Sequence, residues 1–329
     1  MTFERFRGQG PIPSANDNPL IAHADPLRDP RGYRAGRDLA NAVNVALALG
    51  MPLIVTGEPG TGKTQLAYRL AAELGKTEVL RFDTKSSSQA NELFYQFDSI
   101  RQFAQSQLNA SGGKSLPHPR EFVRIAPMGH AILRTLDPKE AEEKLGPELR
   151  HRAPMSSVVM IDEIDKAPRD FPNDLLNQIE NLEFAIPELG CGFKADRRFA
   201  PIVVITSNSE KQLPEPFLRR CVYHHIEFPA DQKEIEAILG ERLQQMQLSG
   251  VAYREALEFF FKLRAHATLS KKPSTSELLD WLRALSTAGL AMETRLAEQR
   301  SVLETCIGTL LKTSDDVKIA KAMLPAVSA

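Results

Sequence analysis

Two kinds of apolar pattern alternate along the first two thirds of the chain, and one of them disappears afterwards. Leu53-Ile-Val55, Val158-Val-Met-Ile161 and Ile202-Val-Val-Ile205 are short continuous blocks. Blocks of this length without polar alternation predict strands buried on both faces, as in a parallel sheet. Two further strands are expected over 77–82 and 222–228, where apolar and β-branched residues cluster between turn signals. The intervening stretches have a helical period. Leu39, Ala42, Val43, Ala46 and Leu47 share one face and predict a helix over 33–49. Helices are also expected over 65–74, ended by Gly75, and over 170–181, with Leu175, Leu176 and Ile179 inward. The segment 90–108 reads as helix-rich, 109–119 as a loop, 122–136 as helical in its second half, and 137–155 as an exposed linker or short helix. Residues 183–198 alternate and turn at Gly190 and Gly192, which predicts a β-hairpin.

Beyond Pro229 the strand blocks stop. Helices are expected over 231–247, 252–267, 275–288, 293–312 and 315–323. Ser274 followed three residues later by Glu277 is a capping-box signature. Residues 1–32, rich in Pro, Asn, Asp and Arg without apolar period, read as an extended or partly disordered arm. The expected architecture is therefore an arm (1–32), an α/β core with a five-stranded parallel sheet flanked by helices (33–229), and a smaller all-helical domain (230–329).

Composition changes this picture little. The 329 residues are 42% hydrophobic and 25% charged, with a net charge of −1, so bulk charge offers no argument for nucleic acid or an acidic membrane. The most apolar window, Val43 to Val55, is broken by Asn44, Gly50 and Pro52, and no membrane span is expected. No basic segment with an apolar run opens the chain, and Cys191, Cys221 and Cys306 are scattered without metal-ligand spacing. Free thiols in a reducing cytoplasm are the expectation.

The chemistry gathers where strand blocks end. After Leu53-Ile-Val55 comes Gly57-Glu-Pro-Gly-Thr-Gly-Lys-Thr64, which fills the pattern G-x-x-x-x-G-K-[ST] between a strand and a helix. The residues Gly57, Glu58, Pro59, Gly60, Thr61, Gly62 and Lys63 would curl their N–H groups around phosphates. Thr64 and Gln65 open the helix whose positive end faces them. Lys63 can reach the β- and γ-phosphates and Thr64 can place its hydroxyl on Mg²⁺, so ATP with Mg²⁺ is the expected cofactor. Val158-Val-Met-Ile161 ends in Asp162 and Glu163. Asp162 suits the Mg²⁺ shell, and Glu163 can polarise a water for attack on the γ-phosphate. Asn208, at the tip of the strand over 201–206, can orient the same water. Tyr33 stands where an aromatic could pack on adenine, or simply pack at a helix start.

Phosphate loop, Asp-Glu strand, Asn-tipped strand, paired arginines and helical tail, in this order, resemble the AAA+ ATPases, and within them the MoxR-type group related to the dynein-like branch. The resemblance covers roughly 33–290. It rests on Gly57 to Thr64, Ile161-Asp-Glu-Ile-Asp-Lys-Ala-Pro168, Ile205-Thr-Ser-Asn208 and Leu213-Pro-Glu-Pro-Phe-Leu-Arg-Arg220. Arg124-Ile-Ala-Pro-Met-Gly-His-Ala-Ile-Leu133 stands where that group has a Gly-Pro-Leu-like segment. The resemblance implies that Asn208 is sensor 1 and that Arg219 or Arg220, with Arg220 favoured, is an arginine finger acting on a neighbour's nucleotide. It also implies that 183–198 is the hairpin before sensor 1 and that 90–108 is an insert able to face a ring pore. Members commonly form rings, here expected to be hexameric, and remodel a protein client, often one with a von Willebrand A domain. The alternatives are a nucleic-acid motor of a restriction or phage-defence system, with Lys194, Arg197 and Arg198 as its only basic row, or a slow nucleotide switch. One departure is that Lys272-Pro-Ser-Thr-Ser-Glu277 lacks the arginine expected as sensor 2; Lys272 or Arg283 could substitute.

Overall fold

A computed structural model describes residues 33–76, 78–111, 117–145, 153–208, 211–229, 232–245 and 249–324. The expected arm, Thr77 at the start of the second strand, part of the expected linker and the side chain of Leu176 lie outside the described residues. Among the described residues packing separates two units, one within 35–58 and 63–226, the other within 227–324 together with the loop tip Pro59–Gly62 and residues 33–34.

In chain order the α/β unit contains α1 (Arg37–Leu49), β1 (Leu53–Gly57), α2 (Lys63–Glu73), β2 (Val79–Asp83), β3 (Tyr95–Phe97), α3 (Ser99–Ser111) and β4 (Val123–Ile125). It continues with α4 (Pro127–Leu133), α5 (Pro138–Leu145), β5 (Val158–Asp162), α6 (Phe171–Asn181), β6 (Glu183–Ile186), β7 (Cys191–Lys194), β8 (Ile202–Ser207), α7 (Glu215–Leu218) and β9 (Val222–Ile226). Five of these strands form one parallel sheet in the order β2-β5-β8-β1-β9. The three inner strands are the continuous apolar blocks, and β1 and β5 are buried along their whole length. The edge strands β2 and β9 are less buried and alternate where they face solvent. All five C-terminal ends therefore point the same way, and the polar residues that follow the strands collect at one edge.

The hairpin expected over 183–198 is present as β6 and β7, but it is shorter, since Arg197–Phe199 forms a separate 3₁₀ turn. The stretch 90–108 departs from expectation. Tyr95–Phe97 is a strand, paired antiparallel with Val123–Ile125, and only after it does a helix begin. Tyr-Gln-Phe is a β-prone alternation that a 3.6 period does not accommodate. Asp98 then starts α3, its carboxylate accepting from the Arg101 N–H at 2.8 Å. The open alternative for 137–155 resolves as the short helix α5. The last strand stops at Ile226, two residues earlier than expected.

The helical unit consists of α8 (Gln232–Gln245), α9 (Val251–Arg264), α10 (Thr275–Thr287), α11 (Arg300–Leu310) and α12 (Ser314–Met323). Its core surrounds the fully buried Trp281 with Leu257, Phe260, Leu278, Leu303 and Ile307. The capping box is formed: Ser274 accepts from the Glu277 N–H at 3.4 Å, and Glu277 accepts from the Ser274 N–H at 2.8 Å. The helix expected over 293–312 is divided into a 3₁₀ turn, Leu296–Gln299, and α11. The Glu255 carboxylate accepts from Arg295 Nε at 3.0 Å and from the Leu296 N–H at 2.7 Å, which fixes the chain in the turn. Buried Asp316 accepts from Ser270 Oγ at 2.6 Å and the Ser270 N–H at 2.9 Å, and these bonds hold its carboxyl down to about 2. Among the described residues, no helix is long and apolar enough to cross a membrane.

Candidate active site

The loop between β1 and α2 is built around the Lys63 ammonium. Lys63 is buried, and its Nζ donates to the carbonyls of Gly57 and Glu58, both at 2.8 Å. Burial pulls its pKa below the ordinary lysine value, against the opposing pull of Asp165, Asp162, Glu163 and Glu58. Two glycines are required here. Gly62 has φ +90° with a Tyr33 ring carbon 3.0 Å from where a Cβ would sit, and at Gly60, φ +79°, a Cβ would lie 2.3 Å from Ser274 Oγ. Tyr33 is thus a buried residue whose ring packs on the loop backbone. Gln65, in the first turn of α2, has a buried side-chain carbonyl oxygen with no partner among the described residues.

The second half of the site stands at the ends of β5 and β8. Their register sets Ile161 beside Ile205, and so brings Asp162 next to Thr206. Thr206 Oγ1 donates to Asp162 Oδ1 at 2.5 Å and accepts from the Glu163 N–H at 2.9 Å. Thr64 Oγ1 donates to the same Asp162 oxygen at 3.3 Å, which joins the loop to the Asp-Glu strand. Glu163 adopts φ 56° and ψ 50°, a left-handed conformation that costs a non-glycine residue about 1–2 kcal/mol. The bond to Thr206 holds its backbone there. Asn208 Nδ2 donates to Glu163 Oε1 at 3.1 Å, and Lys166 Nζ pairs closely with Oε2. The Asn208 N–H in turn donates to buried Asp165 Oδ1 at 3.2 Å.

The family model of the AAA domain (dynein-related subfamily) matches residues 52–221, a span that contains Lys63, Thr64, Asp162, Glu163, Thr206 and Asn208. The chain belongs to the dynein-related AAA family. AAA domains in general bind and hydrolyse ATP and commonly assemble into rings. No curated protein matches the chain. Among solved structures it is similar to Thermotoga maritima RuvB T158V, with 16% identity over 88% of this chain and 67% of that one and a TM-score of 0.43. A Thermotoga maritima RuvB Holliday junction branch migration motor gives 17% identity, the same coverage and 0.42.

In this AAA domain the two arginines lie apart from the loop. Arg219 caps the end of α7 and pairs with Glu215 at 3.2 Å; Arg220 pairs through Nε with Glu180, at the end of α6, at 3.2 Å. Both line a cleft of about 410 Å³ with Leu49, Pro52, Pro201 and Cys221, residues that precede β1, β8 and β9. They therefore sit at the N-terminal ends of the strands, whereas Lys63 follows the C-terminal end of β1. Five strand residues span roughly 16 Å, so neither arginine is placed to touch a nucleotide on its own loop. Burial pushes the Cys221 thiol up to about 12, and all three cysteines are free.

The donors present fit a hard, small cation. Thr64 and Asp162 offer a hydroxyl and a carboxylate already in contact. Among the described residues no group of three or more His, Cys, Asp or Glu could hold an ion. One carboxylate, one hydroxyl and substrate phosphates are what Mg²⁺ uses, since it keeps several of its waters.

Sequence reasoning missed four groups: Thr206, Asp165, Lys166 and Arg81. The first three lie inside the quoted segments Ile205 to Asn208 and Ile161 to Pro168, and the strand register alone would have put Thr206 beside Asp162. Arg81 on β2 had a weaker signal, a charge alternating with Phe82 on an edge strand. Its Nη2 lies 2.9 Å from Asp162 Oδ2 and its Nε donates to Asp83 Oδ1 at 2.6 Å.

Proposed function

We propose that this chain is a Mg²⁺-dependent ATPase that drives the remodelling of a protein client, in the manner of the MoxR-like AAA+ group. The observation that carries the reading is the convergence of Lys63, Thr64, Asp162, Glu163 and Asn208 at the C-terminal ends of adjacent strands. Gly57 to Gln65 cradle the phosphates, and Lys63 exchanges its two carbonyl partners for phosphate oxygens. Thr64 and Asp162 would hold Mg²⁺, which when bound would neutralise phosphate charge. Glu163 Oε1 or Oε2 takes a proton from the attacking water, and Asn208 orients that carboxylate and the water. Arg220, with Arg219 beside it, reaches the γ-phosphate of a neighbouring copy in a ring, expected to be a hexamer in the cytoplasm. The functional division follows 1–32, 33–229 and 230–329 as arm, core and lid, and Tyr33 borders the adenine end.

A protein client, a von Willebrand A domain protein being the leading class, is favoured over nucleic acid by the state of the basic residues on and just after the hairpin. Lys194 lies 3.5 Å from Glu183, Arg198 pairs with Asp196, and Arg197 donates to the Glu180 carbonyl at 3.3 Å. Two of the three charges are offset by neighbouring carboxylates, which leaves Arg197 as the row's one uncompensated charge toward a phosphate backbone.

The test is Mg²⁺-dependent ATP hydrolysis by the purified chain alongside Glu163→Gln. The variant keeps the shape and cannot accept the proton, so it retains ATP and stays assembled while hydrolysis drops by about 10²–10⁴. Wild-type turnover by Glu163→Gln would remove Glu163 from the mechanism.

A further inference from the structure

Asp162 is crowded in a way the ATPase reading does not require. Its Oδ1 takes the hydroxyls of Thr206 and Thr64, and its Oδ2 takes Arg81 Nη2 at 2.9 Å. A carboxylate has about four lone-pair sites, and three are filled. Arg81 reaches Asp162 for a structural reason. β2 pairs with β5 so that Arg81 stands opposite Met160 and Asp83 opposite Asp162. The two β2 side chains share a face, opposite to Phe82, which stacks on Phe171. The guanidinium therefore runs along the strand between two carboxylates. Nε donates to Asp83 Oδ1 at 2.6 Å, while Nη2 meets the buried Asp162, and Tyr68 of α2 gives a further hydrogen bond.

A fixed positive charge on the carboxylate that takes the cation opposes the cation. Oδ2 is the oxygen in direct contact with a like charge, whereas the threonines on Oδ1 are neutral. Resting on the proposed ATPase site, we infer that Arg81 is a positioning residue that holds Asp162 Oδ2 and sets how tightly the site takes a divalent cation, with Asp83 drawing part of the guanidinium away. Asp83 is well exposed and its carboxylate accepts from Arg81 Nε, so the effect assigned to it is the one it exerts through Arg81.

The test uses the full chain with a non-hydrolysable ATP analogue and Mn²⁺, whose free concentration is read by electron paramagnetic resonance. Arg81→Gln keeps a hydrogen-bonding side chain and removes the charge. Its Mn²⁺ affinity should rise about tenfold, the order expected for one unit charge several ångströms away in a partly solvated site. Arg81→Lys keeps the charge and should stay within about threefold of wild type. Asp83→Asn, a surface change, should weaken Mn²⁺, and that weakening should vanish in the Arg81→Gln background. Affinity for the analogue in EDTA should be the same in all variants. The inference is overturned if Arg81→Gln binds Mn²⁺ as wild type does or more weakly. It is equally overturned if Asp83→Asn, which reports even should Arg81→Gln fail to fold, leaves the affinity unchanged. A persistent effect of Asp83→Asn in the double variant would give Asp83 its own action on the cation and likewise sink the idea. If the wild-type chain does not bind the analogue at all, it is the ATPase reading that fails first.

Discussion

The corner around Asp162 and the corner around Arg220 are built on opposite principles. At Asp162 and Glu163 the groups are buried or half-buried, held by strand register, and tied by hydrogen bonds from three different elements. At Arg219 and Arg220 the guanidiniums are exposed, each paired directly with one exposed carboxylate. Chemistry done on a chain's own nucleotide needs groups fixed before the nucleotide arrives, because reorganisation at the moment of reaction costs rate. A group that acts on a neighbour must instead remain free to leave its resting partner. Exposed ion pairs contribute about 0–1 kcal/mol, so in the proposed ring exchanging Glu180 for a phosphate would be cheap for Arg220.

The largest effect expected from breaking the first corner comes from Lys63→Ala. Nucleotide binding should fall below detection by fluorescent-analogue titration, since the loop loses its only cation. The Gly57 and Glu58 carbonyls lose a buried donor, so unfolding free energy should also drop by about 1–3 kcal/mol. Retained binding would separate the loop from the phosphates.

Arg220→Ala comes next and probes the second corner. Hydrolysis should fall by about 10–10³, below the 10³–10⁵ of arginine fingers in GTPases, with ATP affinity little changed. Mixing it with Lys63→Ala should restore part of the activity, because each variant keeps what the other lacks. Activity strictly linear in protein concentration down to the dilute limit, with no assembly on ATP, would remove the neighbour from the mechanism.

Thr206→Val, nearly isosteric, sharpens the first corner. It leaves the Glu163 N–H without its partner and Asp162 with one threonine fewer. Turnover should fall by about 10–100, with Thr206→Ser recovering most of it. Asn208→Ala should cost about tenfold with ATP affinity held, both within the span of general-base assistance. A large loss of affinity in either would mean that the strand end merely supports the loop.

Sequence alone made the sheet legible because its inner strands are buried on both faces and leave continuous apolar blocks. It made Lys63, Asp162 and Glu163 legible because phosphate and metal chemistry restrict residue type at fixed spacing. Thr206 and Arg81 were hidden for a physical reason. Each acts across a strand pairing, and pairing register is a property of the folded sheet rather than of either strand's sequence. The strand at Tyr95–Phe97 was masked by its three-residue length, too short for any period to show.

The smallest effect is expected at Arg219, and it separates the two arginines. Arg219 lies one position from Arg220 in the same cleft, yet its ion pair with Glu215 is an i,i+4 contact on a four-residue helix, with both side chains more than three-quarters exposed. Such a pair contributes at most about 0.5 kcal/mol. Arg220 instead bridges two elements, from the end of α7 to Glu180 on α6, and its position is therefore tied to the helix that follows the Asp-Glu strand. The Arg220 side chain is thus paired with a residue of α6, whereas the ion pair of Arg219 stays within its own helix. Arg219→Ala should change unfolding free energy by at most about 0.5 kcal/mol and leave hydrolysis within about twofold of wild type, measured beside Arg220→Ala under the same assembly conditions. Equal losses for the two variants would show that the pair acts as one basic patch. A larger loss for Arg219→Ala would transfer the finger to Arg219, with Arg220 as the interface residue that positions it.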